Sequence, residues 1–255
     1  MRNRRGCFVT RIPLVFVLGL ACAAAAFAQK AVSTPAPSTG AAPSGSGASA
    51  PASAVLSRAV ALYSDGSGHS SRFVQIYTPA GFATTRRESG TVSLQAPQRI
   101  RVDYDPLPGT PSDIPLPPNP RPEKKVFTYD AGEGRFFSPE EKQLTVRRLS
   151  EDEKARLPVV FLTQPSDLRR QYEITMEPGE PSAPARLLLT PRIARPDLAW
   201  LRLAIDRDGS VRELSYQDSA GNKTEFRFEK WQRGKARPAS DFRITGPPGT
   251  RIVEN

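Results

Sequence analysis

The sequence predicts a mainly β domain with a few short helices, built as an antiparallel sheet with one apolar and one solvated face. Three observations carry this. Apolar residues recur at period two through most of residues 70–245, the repeat of a half-buried strand. Turn dipeptides punctuate them at hairpin spacing, Asp208-Gly209 and Gly221-Asn222 above all. Helical patterns are few and short. A sheet that is apolar on one side must curl on itself or be covered, and only about three short helices are available as cover.

The strand-rich region is preceded by two segments of different character. Residues 1–28 start with Arg2, Arg4, Arg5 and Arg11, continue in an apolar run from Ile12 to Ala26, and end in Ala26-Phe27-Ala28. This is the pattern of a cleaved secretory signal, and the run is short for a spanning helix. Both cysteines, Cys7 and Cys22, fall inside it, so a chain cleaved after Ala28 has no disulfide to form. Leu20-Ala21-Cys22 also resembles a lipoprotein cleavage box, with Gly19 where an aliphatic residue is expected; acylation at Cys22 is the alternative processing. Residues 29–52 are a linker of Ala, Pro, Ser, Thr and Gly that cannot bury enough apolar area to offset its ordering entropy, and are expected to be a disordered tether. The folded domain is expected over 53–255.

The formal charge of the chain is +10. Loss of residues 1–28 removes four arginines and no acid, which leaves +6. For an exported protein this balance points to a solvated basic surface, an anionic membrane or an acidic partner, and not to nucleic acid.

Within the domain, Ala54–Tyr63 has helical spacing and Ser53 is its candidate cap. Strands are expected over 70–77 and 82–95, with Gly90 a candidate bulge, and then at Arg99–Tyr104, where Ile100, Val102 and Tyr104 alternate with Arg99, Arg101 and Asp103. Residues 105–122 carry eight prolines and form a loop of polyproline character. A hairpin is expected from 125–130 to 135–148, turning at Gly132-Glu133-Gly134. Ser150–Leu162 reads as two short helices meeting at Leu157-Pro158. Strands resume at 170–176 and 185–190. The segment from Leu198 to Trp231 is a three-stranded meander, in which Leu201, Leu203 and Ile205, and later Phe226 and Phe228, line one face. A final strand is expected at 241–245. The total is ten or eleven antiparallel strands.

The chemistry of catalysis is missing. His69, the single histidine, sits in Gly-Ser-Gly-His-Ser with no nucleophile elbow to serve, and reads as a loop residue. Asp206-Arg207-Asp208-Gly209-Ser210 begins like a calcium loop, but Ser215 stands where the closing glutamate belongs, so it reads as a hairpin turn. Glu140-Glu141 and Glu151-Asp152-Glu153 lie in polar surroundings that give no reason for a raised pKa. No enzyme activity, metal or cofactor is expected.

The order of motifs resembles the periplasmic outer-membrane lipoprotein carrier family, LolA-type. The residues that carry it are Phe73-Val74-Gln75, the run from Ala96 to Tyr104, Leu198–Gly209, Gly221–Phe228 and the closing Asp241–Thr250, over about residues 54–253. The resemblance implies an incomplete, strongly curved antiparallel barrel covered by short helices, with a cavity for acyl chains. By resemblance Ile100, Val102, Tyr104, Leu201, Leu203, Ile205, Phe226 and Phe228 face that cavity, and Val160, Phe161 and Leu162 lie on a lid helix. It implies a periplasmic carrier, a monomer, that takes acylated lipoproteins from an inner-membrane release complex to an outer-membrane acceptor. The alternatives are an acylated acceptor anchored at Cys22, or a sensor and interaction module on the same fold. The family's arginine before the Pro97 equivalent is Ala96 here, and Arg99 and Arg101 fall on the opposite face by alternation.

Overall fold

Alternation turns into thirteen strands of one sheet among the described residues. The computed structural model describes residues 49–105, 124–149, 165–180 and 182–254. The expected signal, the linker up to residue 48, Pro-rich residues 106–122, and Val160, Phe161 and Leu162 lie outside them. The strands are β1 (Gly68–Thr78), β2 (Arg86–Gln95), β3 (Arg99–Tyr104), β4 (Val126–Asp130), β5 (Glu133–Ser138), β6 (Gln143–Arg148), β7 (Tyr172–Met176), β8 (Ala185–Pro191), β9 (Trp200–Ile205), β10 (Val211–Gln217), β11 (Lys223–Phe228), β12 (Gln232–Gly234) and β13 (Arg251–Glu254). Helix α1 spans Ser49–Tyr63, α2 spans Pro165–Gln171, and a 3₁₀ turn spans Ala239–Phe242.

The strands run in the order β13-β6-β5-β4-β3-β2-β1-β11-β10-β9-β8-β7, and β12 pairs the start of β1. The sheet is an open, curved, mainly antiparallel one with few helices. Only β13 departs from the antiparallel rule, pairing parallel to β6.

Several local expectations shift. Helix α1 begins at Ser49, inside the stretch assigned to the linker, because Pro51 is tolerated in a first helical turn and Ala52 is fully buried. The hairpin arm expected over 135–148 is two strands separated by residues 139–142, and the turn before it is Ala131-Gly132, both at positive φ. That is a two-residue hairpin loop, so Glu133 and Gly134 pair within β5. Residues 241–245 are not a strand. Asp241 and Phe242 end the 3₁₀ turn and residues 243–245 continue from it across the outer face, with Phe242 buried, Arg101 donating to the Asp241 carbonyl and Arg135 to the Ile244 carbonyl. The last strand is instead β13. His69 is a strand residue, buried within β1, rather than a loop residue.

Gly90 is no bulge, since both of its ladders run through it without a register shift. It lies between Phe73 and Tyr104, and a Cβ there would stand 2.2 Å from the Asp103 carbonyl oxygen and 2.9 Å from the Phe73 ring. The true bulge lies in β10, between Val211 and Glu213. Side chains from outside the ladder meet the Val211 peptide there: its N–H donates to the Tyr63 hydroxyl at 3.0 Å, and its carbonyl accepts from Trp231 Nε1 at 2.7 Å. Burial pushes the Tyr63 phenol well above its ordinary pKa. One turn away Gly209, at φ +93°, lets the α1 carbonyl of Arg58 come close: a Cβ would meet it at 2.9 Å.

Two substitutions test this packing. Tyr63→Phe strands the buried Val211 N–H and lowers stability by roughly 1–3 kcal/mol in urea denaturation. Gly90→Ala forces Phe73 and the β2–β3 ladder apart, and overpacking of this kind costs about 1–3 kcal/mol in the same measurement.

Candidate functional site: the inner face of the sheet

Directly opposed residues of paired strands share a face, so the registers sort every strand residue to one side. Ile100 pairs with Leu94 and Tyr129, Val102 with Val92 and Phe127, and Tyr104 with Gly90. Gly90 pairs with Phe73, and Phe73 with Phe228. Gln75 pairs with Phe226, Phe226 with Leu214, Leu214 with Leu203, and Leu203 with Leu187. Leu201 and Ile205 flank Leu203 on the same side of β9. All eight strand residues expected on the inner side therefore lie on one face, and all are buried. The lid residues Val160, Phe161 and Leu162 lie outside the described residues.

An aromatic chain runs through this face. Tyr104 meets Phe73 edge-on at 5.5 Å between centroids, Phe73 meets Phe226 at 5.8 Å, and Phe226 stacks near Phe228 at 6.2 Å. Phe228 then contacts Trp231 at 5.2 Å, Trp231 contacts Tyr63 at 5.1 Å, and Tyr63 contacts His69 at 5.2 Å. Offset and edge-on pairs of this kind add to the gain from burial alone. The chain joins β3, β1 and β11 to α1, which packs on β7, β8 and β9 through Ala52, Leu56, Ala59 and Val60.

The face also carries polar groups that were not singled out from the sequence. Tyr104 donates its hydroxyl to Gln75 Oε1 at 3.1 Å. Lys125 lies over the Tyr104 ring, 4.0 Å from its centroid, and reaches Glu88 Oε1 at 2.6 Å. Arg86 reaches the same carboxylate oxygen at 3.2 Å. Burial lowers the Lys125 pKa, and the Glu88 carboxylate partly restores it. Burial also pushes the phenols of Tyr104 and Tyr216 upward. The available signal was Gln75 between Phe73 and Tyr77, and Glu88 two residues from Gly90. Each occupies an inner position of its strand, beside Phe73 and Gly90.

The outer face carries ion pairs beside the apolar row Val126, Phe137 and Leu144. Arg99 and Arg243 hold Asp130 from two sides, at 3.1 and 2.7 Å, and Arg101 pairs with Asp103. The two arginines of β3 thus stay away from the inner face, as alternation requires. On the inner side, at the start of β1, His69 Nε2 lies 3.1 Å from Asp65 Oδ1, and Arg233 reaches the other oxygen of that carboxylate. The hydrogen bond from His69 is the largest cause that lowers the Asp65 pKa to about 2. In the β9–β10 turn Asp208 accepts from the Ser210 backbone and hydroxyl, and Asp206 pairs with Arg212. The turn uses its own carboxylates.

With this geometry in hand, the comparisons are consistent. The family model described as "Outer membrane lipoprotein carrier protein LolA" matches residues 119–245. The outer-membrane lipoprotein carrier protein of Xanthomonas campestris pv. campestris (strain B100) is 27% identical over 187 residues, 73% of this chain and 81% of that one. That of Dechloromonas aromatica is 25% identical over 168 residues, 66% of this chain and 72% of that one. Among solved structures, an uncharacterized conserved protein from Thermus thermophilus superposes with a TM-score of 0.48 at 13% identity, covering 80% of this chain and 99% of that one. The fold is an open, mainly antiparallel β sheet. The family model and these relatives support a LolA-type lipoprotein carrier family for this chain.

The polar cluster gives a direct test. Lys125→Met leaves Glu88 in the wall without its nearest cation and lowers stability by roughly 1–3 kcal/mol. Adding Glu88→Gln recovers most of that loss, and a double-mutant cycle in urea reads the coupling.

Proposed function

We propose that this protein is a periplasmic carrier that holds the acyl chains of lipoproteins against its inner face and moves them from the inner to the outer membrane. The observation that supports this most is the register, which collects Ile100, Val102, Tyr104, Leu201, Leu203, Ile205, Phe226 and Phe228 on one side of an open sheet. Similarity to the carrier family supplies a ligand class for that face. The relatives named above carry the same description, and the cargo is by that analogy an acylated lipoprotein. The donor would be an inner-membrane release complex and the recipient an outer-membrane acceptor.

The chemistry is burial. An acyl chain gains about 0.8 kcal/mol for each methylene removed from water, with no covalent step and no cofactor. The reading calls for no catalytic residue. Polar residues Gln75, Glu88 and Lys125 would sit where the apolar wall gives way to the polar end of the cargo.

The test is binding of a fluorescent fatty-acyl probe to delipidated protein. The wild type binds it. Phe226→Ser weakens binding by roughly tenfold, since an aromatic side chain leaves the wall. Arg227→Ala, one residue along on the outer face, leaves it unchanged. A delipidated wild type with no measurable affinity for the probe overturns the proposal.

A further inference from the structure

Three hairpin loops leave the sheet side by side at one end. The row Arg86, Tyr77, Thr224, Tyr216, Leu201 and Leu189 runs straight across β2, β1, β11, β10, β9 and β8. Just beyond it lie residues 79–85, 218–222 and 192–199. The loops are tied to one another. The Ala80 N–H donates to Asn222 Oδ1 at 3.0 Å, and the Ser219 N–H donates to the Pro196 carbonyl at 3.0 Å.

This rim carries two apolar side chains in water. Phe82, in the β1–β2 loop, is 67% exposed, and Ile193, in the β8–β9 loop, is 79% exposed. Among the described residues the third large apolar side chain so exposed, Ile252, stands on edge strand β13. Arg192 and Arg195 flank Ile193, and the loop of Phe82 runs into Arg86 and Arg87. Segments 78–87, 191–199 and 217–223 hold Arg86, Arg87, Arg192, Arg195 and Lys223 against Asp197 and Asp218; Arg86 pairs with Glu88 and Lys223 with Glu225 just outside them. Arg87 and Arg192 are exposed.

We propose that this rim is a docking surface for an anionic lipid bilayer, with Phe82 and Ile193 entering the interface and the arginines meeting the headgroups. Two apolar tips on separate loops do not make the contiguous patch that a folded protein partner covers. A deformable interface accepts them one by one, and cations beside them add attraction to anionic lipid. Docked in this way, the end of the inner face that carries Arg86 and Tyr77 is brought to the membrane surface. Phe82, Ile193, Arg87 and Arg192, on which the inference stands, are separate from the acyl-binding wall.

The experiment is sedimentation of the full chain with vesicles of phosphatidylcholine, with and without phosphatidylglycerol. Comparing variants against the wild type cancels any contribution from residues 1–48. The expected result is binding that needs phosphatidylglycerol and weakens with salt. Phe82→Ser/Ile193→Ser lowers partitioning by about tenfold. Arg87→Gln and Arg192→Gln each lower it by roughly fivefold. The extra emission of Phe82→Trp, relative to the parent, shifts to the blue on vesicles. Near-ultraviolet circular dichroism checks that each variant is folded. An unmoved Phe82→Trp signal, or variants that sediment like the wild type, overturns the proposal. So does a Phe82→Ser/Ile193→Ser variant that keeps its vesicle affinity but loses lipoprotein release from membranes, since the rim then docks a protein. The acyl probe is read on the same variants: retained probe binding without vesicle binding in the wild type sinks the rim alone, and absent probe binding in the wild type sinks the carrier reading alone.

Discussion

The peptide of Val211 is the point on which the architecture turns. At the β10 bulge its N–H and carbonyl are met by the Tyr63 hydroxyl and the Trp231 indole. A buried peptide left without partners costs about as much as a lost hydrogen bond on each side. The two side chains remove that cost and so permit the bulge, and a bulge bends its strand and sharpens local twist. They also fix the last residue of α1 to the middle of the sheet. The approach is close enough that the neighbouring turn needs glycine at 209. Curvature of the sheet and placement of its helix therefore share one cause.

The two faces then divide the work. The outer face is stabilised by paired charges such as Arg99–Asp130–Arg243 and Lys223–Glu225–Arg227, and by the segment from the 3₁₀ turn to β13 that crosses it. Exposed pairs of this kind add little each. Asp130 differs, because its side chain is only 4% exposed and two arginines satisfy it. The inner face relies on apolar area and on the aromatic chain from Tyr104 to His69. Along β3, β9 and β11 alternation keeps charged residues off that face, and at the ends of β2 and β4 Arg86 and Lys125 share the Glu88 carboxylate there.

Much of this was legible in the sequence, for a physical reason. Period-two patterning fixes which side chains share a face, so the meander from β9 to β11 and the inward set on β3 followed directly from it. What was lost depended on contacts distant in sequence. The β10 bulge needs Tyr63 and Trp231, 148 and 20 residues from Val211, to be worth forming. Gly90 reads as a bulge because a strand glycine usually means one, yet it is required by the Phe73 ring across the ladder. Residues 241–245 alternate like a strand, but their partners are arginine side chains and not a neighbouring ladder. His69 follows two glycines and looks like loop, whereas pairing with β2 and β12 makes it strand. Glu88 and Gln75 were passed over because a polar residue at an inner position carries no sign of its partner.

In the proposed role, these polar residues bear on release as much as on binding. An acyl chain of about sixteen carbons, fully buried at 0.8 kcal/mol per methylene, would gain on the order of 12 kcal/mol. Several chains held that way would approach the practical limit of non-covalent affinity, and a carrier bound so tightly would not unload. A wall that stays wholly apolar to its end invites such depth. Here the apolar rows at Ile100, Val102 and Phe73 give way to Gln75, Glu88, Arg86 and Lys125 toward one end of the strands. A methylene that reaches this row must displace a hydrogen-bonded, ion-paired cluster and gains nothing by it. The cluster thereby sets how far a chain can be held, and leaves the remainder for the recipient to bind.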